Sequence, residues 1–253
     1  MSQLIFSHHL KPADPRFAEL QARLENPGNV PTSAGGRKKR ALAITRKLWR
    51  PGRLLKVSFL GSPDDFLKSE IFRTASQWLL RSGANLAMTL TWDNDPQAQI
   101  RVRTGRALPR NESCAGTDAL AMPAETMNLN VEPGDAAFEH VVLHEFGHAL
   151  GAEHEHQHPD ASIPWNVEEV VRVANAEQGW TRQQVMDEMI ARRADIGLVK
   201  TQYDPASVMH YPVPQAFTHG DWEIGLNSHL SEKDLAFMRL AYPFPTNGSQ
   251  AVT

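Results

Sequence analysis

An α+β fold is predicted by two observations: segments with strand period lie before residue 144, and capped helical segments follow residue 154. Strand, helix and strand alternate in the first half, which is the order of a crossover in a twisted, mostly parallel sheet. At 253 residues the chain can bury a core of one domain, built as two subdomains that share a cleft. The expected division is an N-terminal extension or pro-segment with a linker over 1–50, a main domain over 51–245 and a tail over 246–253. Within the main domain the first subdomain should end at about residue 151.

Each element has its own signal. Residues 14–25 suit a short helix with Phe17, Leu20 and Leu24 on one side, and 26–36 have the Pro/Gly/Ser/Thr content of a linker. The basic run 37–40 reads as a solvated turn, with a processing site as the alternative. Leu55, Val57 and Phe59 alternate with Lys56 and Ser58, a strand pattern. Ser62 as cap, Pro63 and Asp64-Asp65 open a helix that carries Leu67, Ile71, Ala75 and Trp78 inward and stops at Gly83. Further strands are expected over 86–92, 97–103 and 126–131, with a short edge strand over 114–120. A helix starts at Pro133-Gly134-Asp135 and holds Phe138, Val141, Val142, Phe146 and Leu150 on apolar faces. Later helices open at Asn166 and Thr181, each followed three residues on by a glutamate or glutamine, the spacing of a capping box, and a last helix opens at Ser231 with Leu235, Met238 and Tyr242 on one side.

Residues 144–154 read H-E-F-G-H-A-L-G-A-E-H. On a helix His144 and His148 are turned by only about 40° and stand one turn apart, so two imidazoles can grip one ion. Glu145 lies about 100° from the first of them, beside the ion, where a carboxylate can take a proton from a bound water. His154 would point elsewhere on a continuous helix, so the chain must turn first, and Gly151 accepts the left-handed conformation that ends helices. Three neutral histidines leave the fourth position of a tetrahedral Zn2+ open, as catalytic sites require. His140 precedes His144 by four and offers an alternative pair, but without a glutamate after its first member, while His156 and His158 are placed on a loop near the cleft and read as surface residues. Cys114 has no base or cation among its neighbours and is not expected to be a nucleophile.

Composition removes other classes. A net charge of -3 carries no nucleic-acid signature, and no apolar run of membrane-spanning length is present. A single cysteine precludes an intrachain disulfide. No signal-peptide pattern follows Met1, so a cytoplasmic location or export by a signal-independent route is expected.

The zinc motif H-E-x-x-H-x-x-G-x-x-H over 144–154, followed by Ser207-Val208-Met209-His210-Tyr211, resembles the metzincin metallopeptidases. Glu155 after the third histidine, and the stretch 203–211, are similar to the astacin-like branch. The resemblance covers roughly 52–243 and implies a metzincin-like zincin fold. It implies His144, His148 and His154 as ligands of one catalytic Zn2+, Glu145 as general base, Met209 as a hydrophobic floor beneath the metal and Tyr211 as a mobile ligand or oxyanion partner. It also implies a protein or peptide substrate lying extended along the edge strand near 115–121. His210 is expected to point away from the site, and Glu155 to bind a newly exposed N-terminus or to serve a structural role. The expected activity is that of a zinc endopeptidase. A zinc-bearing peptide-binding module, an inactive homologue and an exported effector are the alternatives.

Overall fold

The structure is a computed structural model that describes residues 8–29, 43–44, 47–194 and 198–245. Its main sheet has six strands: β1 (His8–Leu10), β3 (Leu54–Phe59), β4 (Ala87–Leu90), β5 (Ile100–Thr104), β6 (Glu112–Cys114) and β7 (Met127–Leu129). Their spatial order is β1-β6-β7-β5-β3-β4. Every pairing is parallel except β6 with β7, so the sheet is mostly parallel as expected. The antiparallel pair needs only a short connection, whereas β3 and β4 are joined through a helix. A separate ribbon pairs β2 (Ala43–Ile44) with β8 (Leu198–Val199).

Six helices complete the α+β architecture: α1 (Pro15–Glu25), α2 (Asp65–Ser82), α3 (Phe138–Ala149), α4 (Val167–Gln178), α5 (Arg182–Val185) and α6 (Glu232–Ala241). The cap of α2 is Asp64, which accepts from the amides of Phe66 and Leu67, and not Ser62, whose φ of 58° lies in the left-handed region. Gly83 ends that helix at φ 65°, as read. Helix α3 begins at Phe138, three residues beyond Asp135, because the preceding residues form a turn closed by Asp135 N–H on the Glu132 carbonyl. Thr181 and Ser231 form complete capping boxes, and Asn166 accepts from Glu169. Helix α5 continues into a π-turn over Met186–Ile190.

Three expectations need correction. In α1 the small residues Ala18 and Ala22 are buried, while Phe17, Leu20 and Leu24 are exposed. The helix lies close on the turn after β6, where small side chains permit close approach and large ones do not. Next, Asn26–Asn29 is not a loose linker, since the Asn29 amide donates to the Ala22 and Leu48 carbonyls and Asn26 to those of Leu48 and Trp49. Finally, the edge strand ends at Cys114, and Gly116–Ala121 is a 3-10 turn. The basic run 37–40 and the tail 246–253 lie outside the described residues.

Two apolar cores meet at the cleft. One joins the sheet, α2, α3 and α6 and includes Met209. The other joins α4 and α5 to Tyr211, Val213 and Phe217. The turn 207–211 therefore places Val208 and Met209 in the first core and Tyr211 in the second.

Candidate metal centre

Helix α3 is fixed by donors that reach its backbone from three directions. Trp78 Nε1 donates to the Leu143 carbonyl at 2.8 Å, Trp49 Nε1 to Ala149 at 2.8 Å and the Tyr242 hydroxyl to Leu150 at 2.6 Å. The last two occupy carbonyls that a helix end leaves unpaired. Gly151 then turns the chain at φ 91°, and Ala152 N–H closes on the Gly147 carbonyl. A Cβ there would stand 2.9 Å from Leu48 Cδ2, which would have to shift, and the positive φ itself favours glycine.

The result brings His154 back to the helix. The Nε2 atoms of His144 and His148 are 3.1 Å apart, and those of His148 and His154 are 3.0 Å apart. His144 Nδ1 is 2.9 Å from the Val208 carbonyl and His148 Nδ1 is 2.8 Å from that of Ala152, so each Nδ1 carries the proton and donates it. The two Nε2 atoms then present bare lone pairs to each other, which only a cation can reconcile. Nitrogens that share one tetrahedral zinc sit about 3.3 Å apart, close to the spacing seen. Burial, with the neighbouring imidazoles, pushes the pKa values of His144, His148 and His154 well below the usual histidine range and keeps the rings neutral.

Glu145 is 1% exposed on the same helix, and Tyr211 is 3% exposed. The Tyr211 ring centroid is 4.4 Å from that of His154 and 5.9 Å from that of His144. Met209 lies under the helix, where a Cβ on Gly147 would collide with its sulfur. His210 points away from the centre, as read, with Nδ1 donating to the Tyr211 carbonyl at 2.6 Å and Nε2 accepting from the Tyr203 hydroxyl at 2.9 Å.

His140, His156 and His158 are not surface residues. His140 is bound to the Asn227 carbonyl at 2.7 Å, His156 to Glu188 O at 3.2 Å and His158 to Thr201 O at 3.1 Å, and all three are buried. Glu155 accepts the Asp204 amide at 2.8 Å, and its own N–H donates to the Met209 carbonyl. Burial raises its pKa well above the usual carboxyl value. Cys114 is buried and its thiol is pushed up to about 12 by desolvation, which makes it inert as a nucleophile.

Sequence reasoning missed two residues. Asp234 was legible only as part of a local cap, yet it also accepts from Ser207 Oγ at 2.6 Å and from Val208 N at 3.0 Å, tying α6 to the turn beneath the metal. His9 stands beside the histidine cluster, its ring centroid 4.3 Å from His148 and 5.2 Å from His154. A lone His8-His9 pair carries no ligand spacing, so no signal in the sequence marks it.

Residues 124–243 match the Astacin peptidase family. A bone morphogenetic protein 1 homolog of Strongylocentrotus purpuratus is 32% identical over 124 residues, which are 43% of this chain and 18% of that protein. This chain thus spans a small part of that relative. The structure of myroilysin superposes with a TM-score of 0.73 at 30% identity, over 80% of this chain and 98% of that one. High choriolytic enzyme 1, a hatching enzyme zinc-protease from Oryzias latipes (Medaka fish), shares the fold at a TM-score of 0.52 and 14% identity, over 84% of this chain and 98% of that one. Fold and kinship together define a zinc metalloendopeptidase of the metzincin kind, a hydrolase acting on protein or peptide substrates. The chain belongs to the astacin family of peptidases.

Proposed function

We propose that the chain cleaves internal peptide bonds at a zinc ion held by His144, His148 and His154, with Glu145 as general base and Tyr211 as oxyanion partner. The observation that carries this reading is the convergence of Nε2 atoms at 3.0 and 3.1 Å, with both Nδ1 protons directed to backbone carbonyls. When bound, zinc supplies Lewis acidity and a water whose pKa falls to about 7.

Glu145 follows His144 by one residue on α3, and its carboxylate would take the proton of the attacking water. The same carboxyl then delivers a proton to the departing amine. Tyr211, whose ring lies beside those of His154 and His144, would donate its phenol proton to the developing oxyanion. An extended substrate would add as a strand on the β6 side of the sheet, where β1 (His8–Leu10) pairs with Glu112–Cys114 in this structure.

The test is metal analysis with turnover of an unfolded protein substrate, with and without a chelator, on the full chain and on Glu145→Gln. One zinc per chain, chelator-sensitive cleavage, and a zinc-loaded but inactive Glu145→Gln are expected. Full activity in that variant removes Glu145 as the base, and a metal-free active chain removes the reading altogether.

A further inference from the structure

Behind His144 a row of hydrogen bonds runs to a buried carboxylate on α6. His144 Nδ1 donates to the Val208 carbonyl at 2.9 Å, and that carbonyl shares its peptide unit with the Met209 N–H. Met209 N donates to Ser207 Oγ at 3.0 Å, and Ser207 Oγ donates to Asp234 Oδ1 at 2.6 Å. Because the serine oxygen receives the Met209 amide, its own proton is directed at the carboxylate. The order is thus imidazole, peptide, hydroxyl, carboxylate, and each member donates to the next.

The other oxygen of Asp234 pins the same turn, accepting Val208 N at 3.0 Å and Ser231 N at 2.9 Å. His144, Ser207, Val208, Met209 and Asp234 are all buried, so water does not compete for any bond in the row. Burial raises the pKa of Asp234, and the donations from Ser207, Ser231 and Val208 oppose that rise. Three donors converging on two oxygens suit an ionised carboxylate, which only accepts.

We infer that Asp234 and Ser207 are positioning residues for the metal: the carboxylate's charge, passed through the Ser207 hydroxyl and the Val208–Met209 peptide, fixes the His144 tautomer and strengthens its Nε2 as a zinc donor. This rests on His144 holding the ion. No proton changes hands along the row. Each acceptor becomes more negative because it donates onward, so the Val208 carbonyl draws harder on the imidazole N–H than an isolated peptide would. A carboxylate bonded directly to a ligand histidine raises its basicity in the same way, and here a serine and one peptide unit stand between the two.

The experiment uses the zinc-loaded full chain with isotope-labelled histidine rings. It reads the His144 Nδ1–H proton resonance and the zinc dissociation constant, the latter by competition with a chromogenic chelator. Ser207→Ala cuts the row at the hydroxyl and Asp234→Asn removes the charge at its end. Both should move the resonance upfield and weaken zinc about tenfold to a hundredfold. Ser207→Thr keeps the hydroxyl and should restore both readings. Ser231→Ala is the packing control, since it removes the cap of α6 and the donor to Asp204 but lies outside the row. It should lower the melting temperature and leave both zinc readings as in wild type. An unmoved resonance in Ser207→Ala, or an equal shift in Ser231→Ala, overturns the inference and leaves the three-histidine reading standing. A wild-type chain without stoichiometric zinc overturns that reading and the inference with it, so the two failures are distinct.

Discussion

Met209 and Gly147 are in direct contact: the thioether sits where a Cβ of residue 147 would be, and Trp78 Cζ2 stands 2.9 Å from that same point. The helix can therefore lie on its floor only because residue 147 has no side chain. Gly147→Ala should cost about 1–3 kcal/mol through overpacking, despite the better helix propensity of alanine. Urea unfolding of the two chains measures it, and an unchanged or higher midpoint contradicts the packing argument.

Glu145→Ala leaves three histidines and their carbonyl partners in place. Zinc content should stay at one per chain while kcat falls by about 10²–10⁴, the usual worth of a positioned base. Atomic absorption beside steady-state kinetics decides it.

Tyr211 packs its ring in the second core, with its centroid 4.4 Å from that of His154. Tyr211→Phe keeps the packing, so the melting temperature should hardly move, whereas kcat should fall by roughly a hundredfold with KM little changed. A lost melting temperature with normal kcat would assign the hydroxyl to structure.

Asp234 receives Ser207 Oγ, Val208 N and Ser231 N while it caps α6, and it is 6% exposed. Asp234→Ala strands several buried donors at once, so a loss of about 2–4 kcal/mol is expected, together with weaker zinc retention. Equilibrium unfolding and competition with a chromogenic chelator read the two effects separately.

His210 is buried between the Tyr203 hydroxyl and the Tyr211 carbonyl, and burial pushes its pKa down to about 4. Between that value and 6.5 the unfolded chain binds a proton that the folded chain refuses. Its contribution is thus complete above pH 6.5 and is lost as pH falls toward 4, by about 3 kcal/mol at most. The stability difference between wild type and His210→Gln should shrink over that interval. A difference independent of pH would show that His210 titrates normally.

Much of the fold was legible because its signals are local. Alternation in β3, Gly83 after α2, the capping box at Thr181, the helix start at Ser231 and Gly151 after the histidine helix all depend on residues within a turn or two of each other. Where a local signal misled, tertiary packing was the reason. Helix α1 has its large apolar residues at helical spacing, yet it presents Ala18 and Ala22 to the body because only small side chains let it lie close over the turn after β6. The histidines at 156 and 158 looked like a polar loop, and backbone carbonyls from Glu188 and Thr201 make them buried struts.

The sequence by itself determined the chemistry of the centre. His144, Glu145 and His148 lie on one helix, whose geometry sets their mutual angles, and Gly151 turns the chain so that His154 returns to them. Tertiary structure decided what surrounds that centre: Met209 under Gly147, Asp234 holding the turn and His9 arriving on β1 beside His148. Those relationships join residues far apart in the chain. Strand pairing and packing fix them, and these depend on the whole fold rather than on any spacing along the chain.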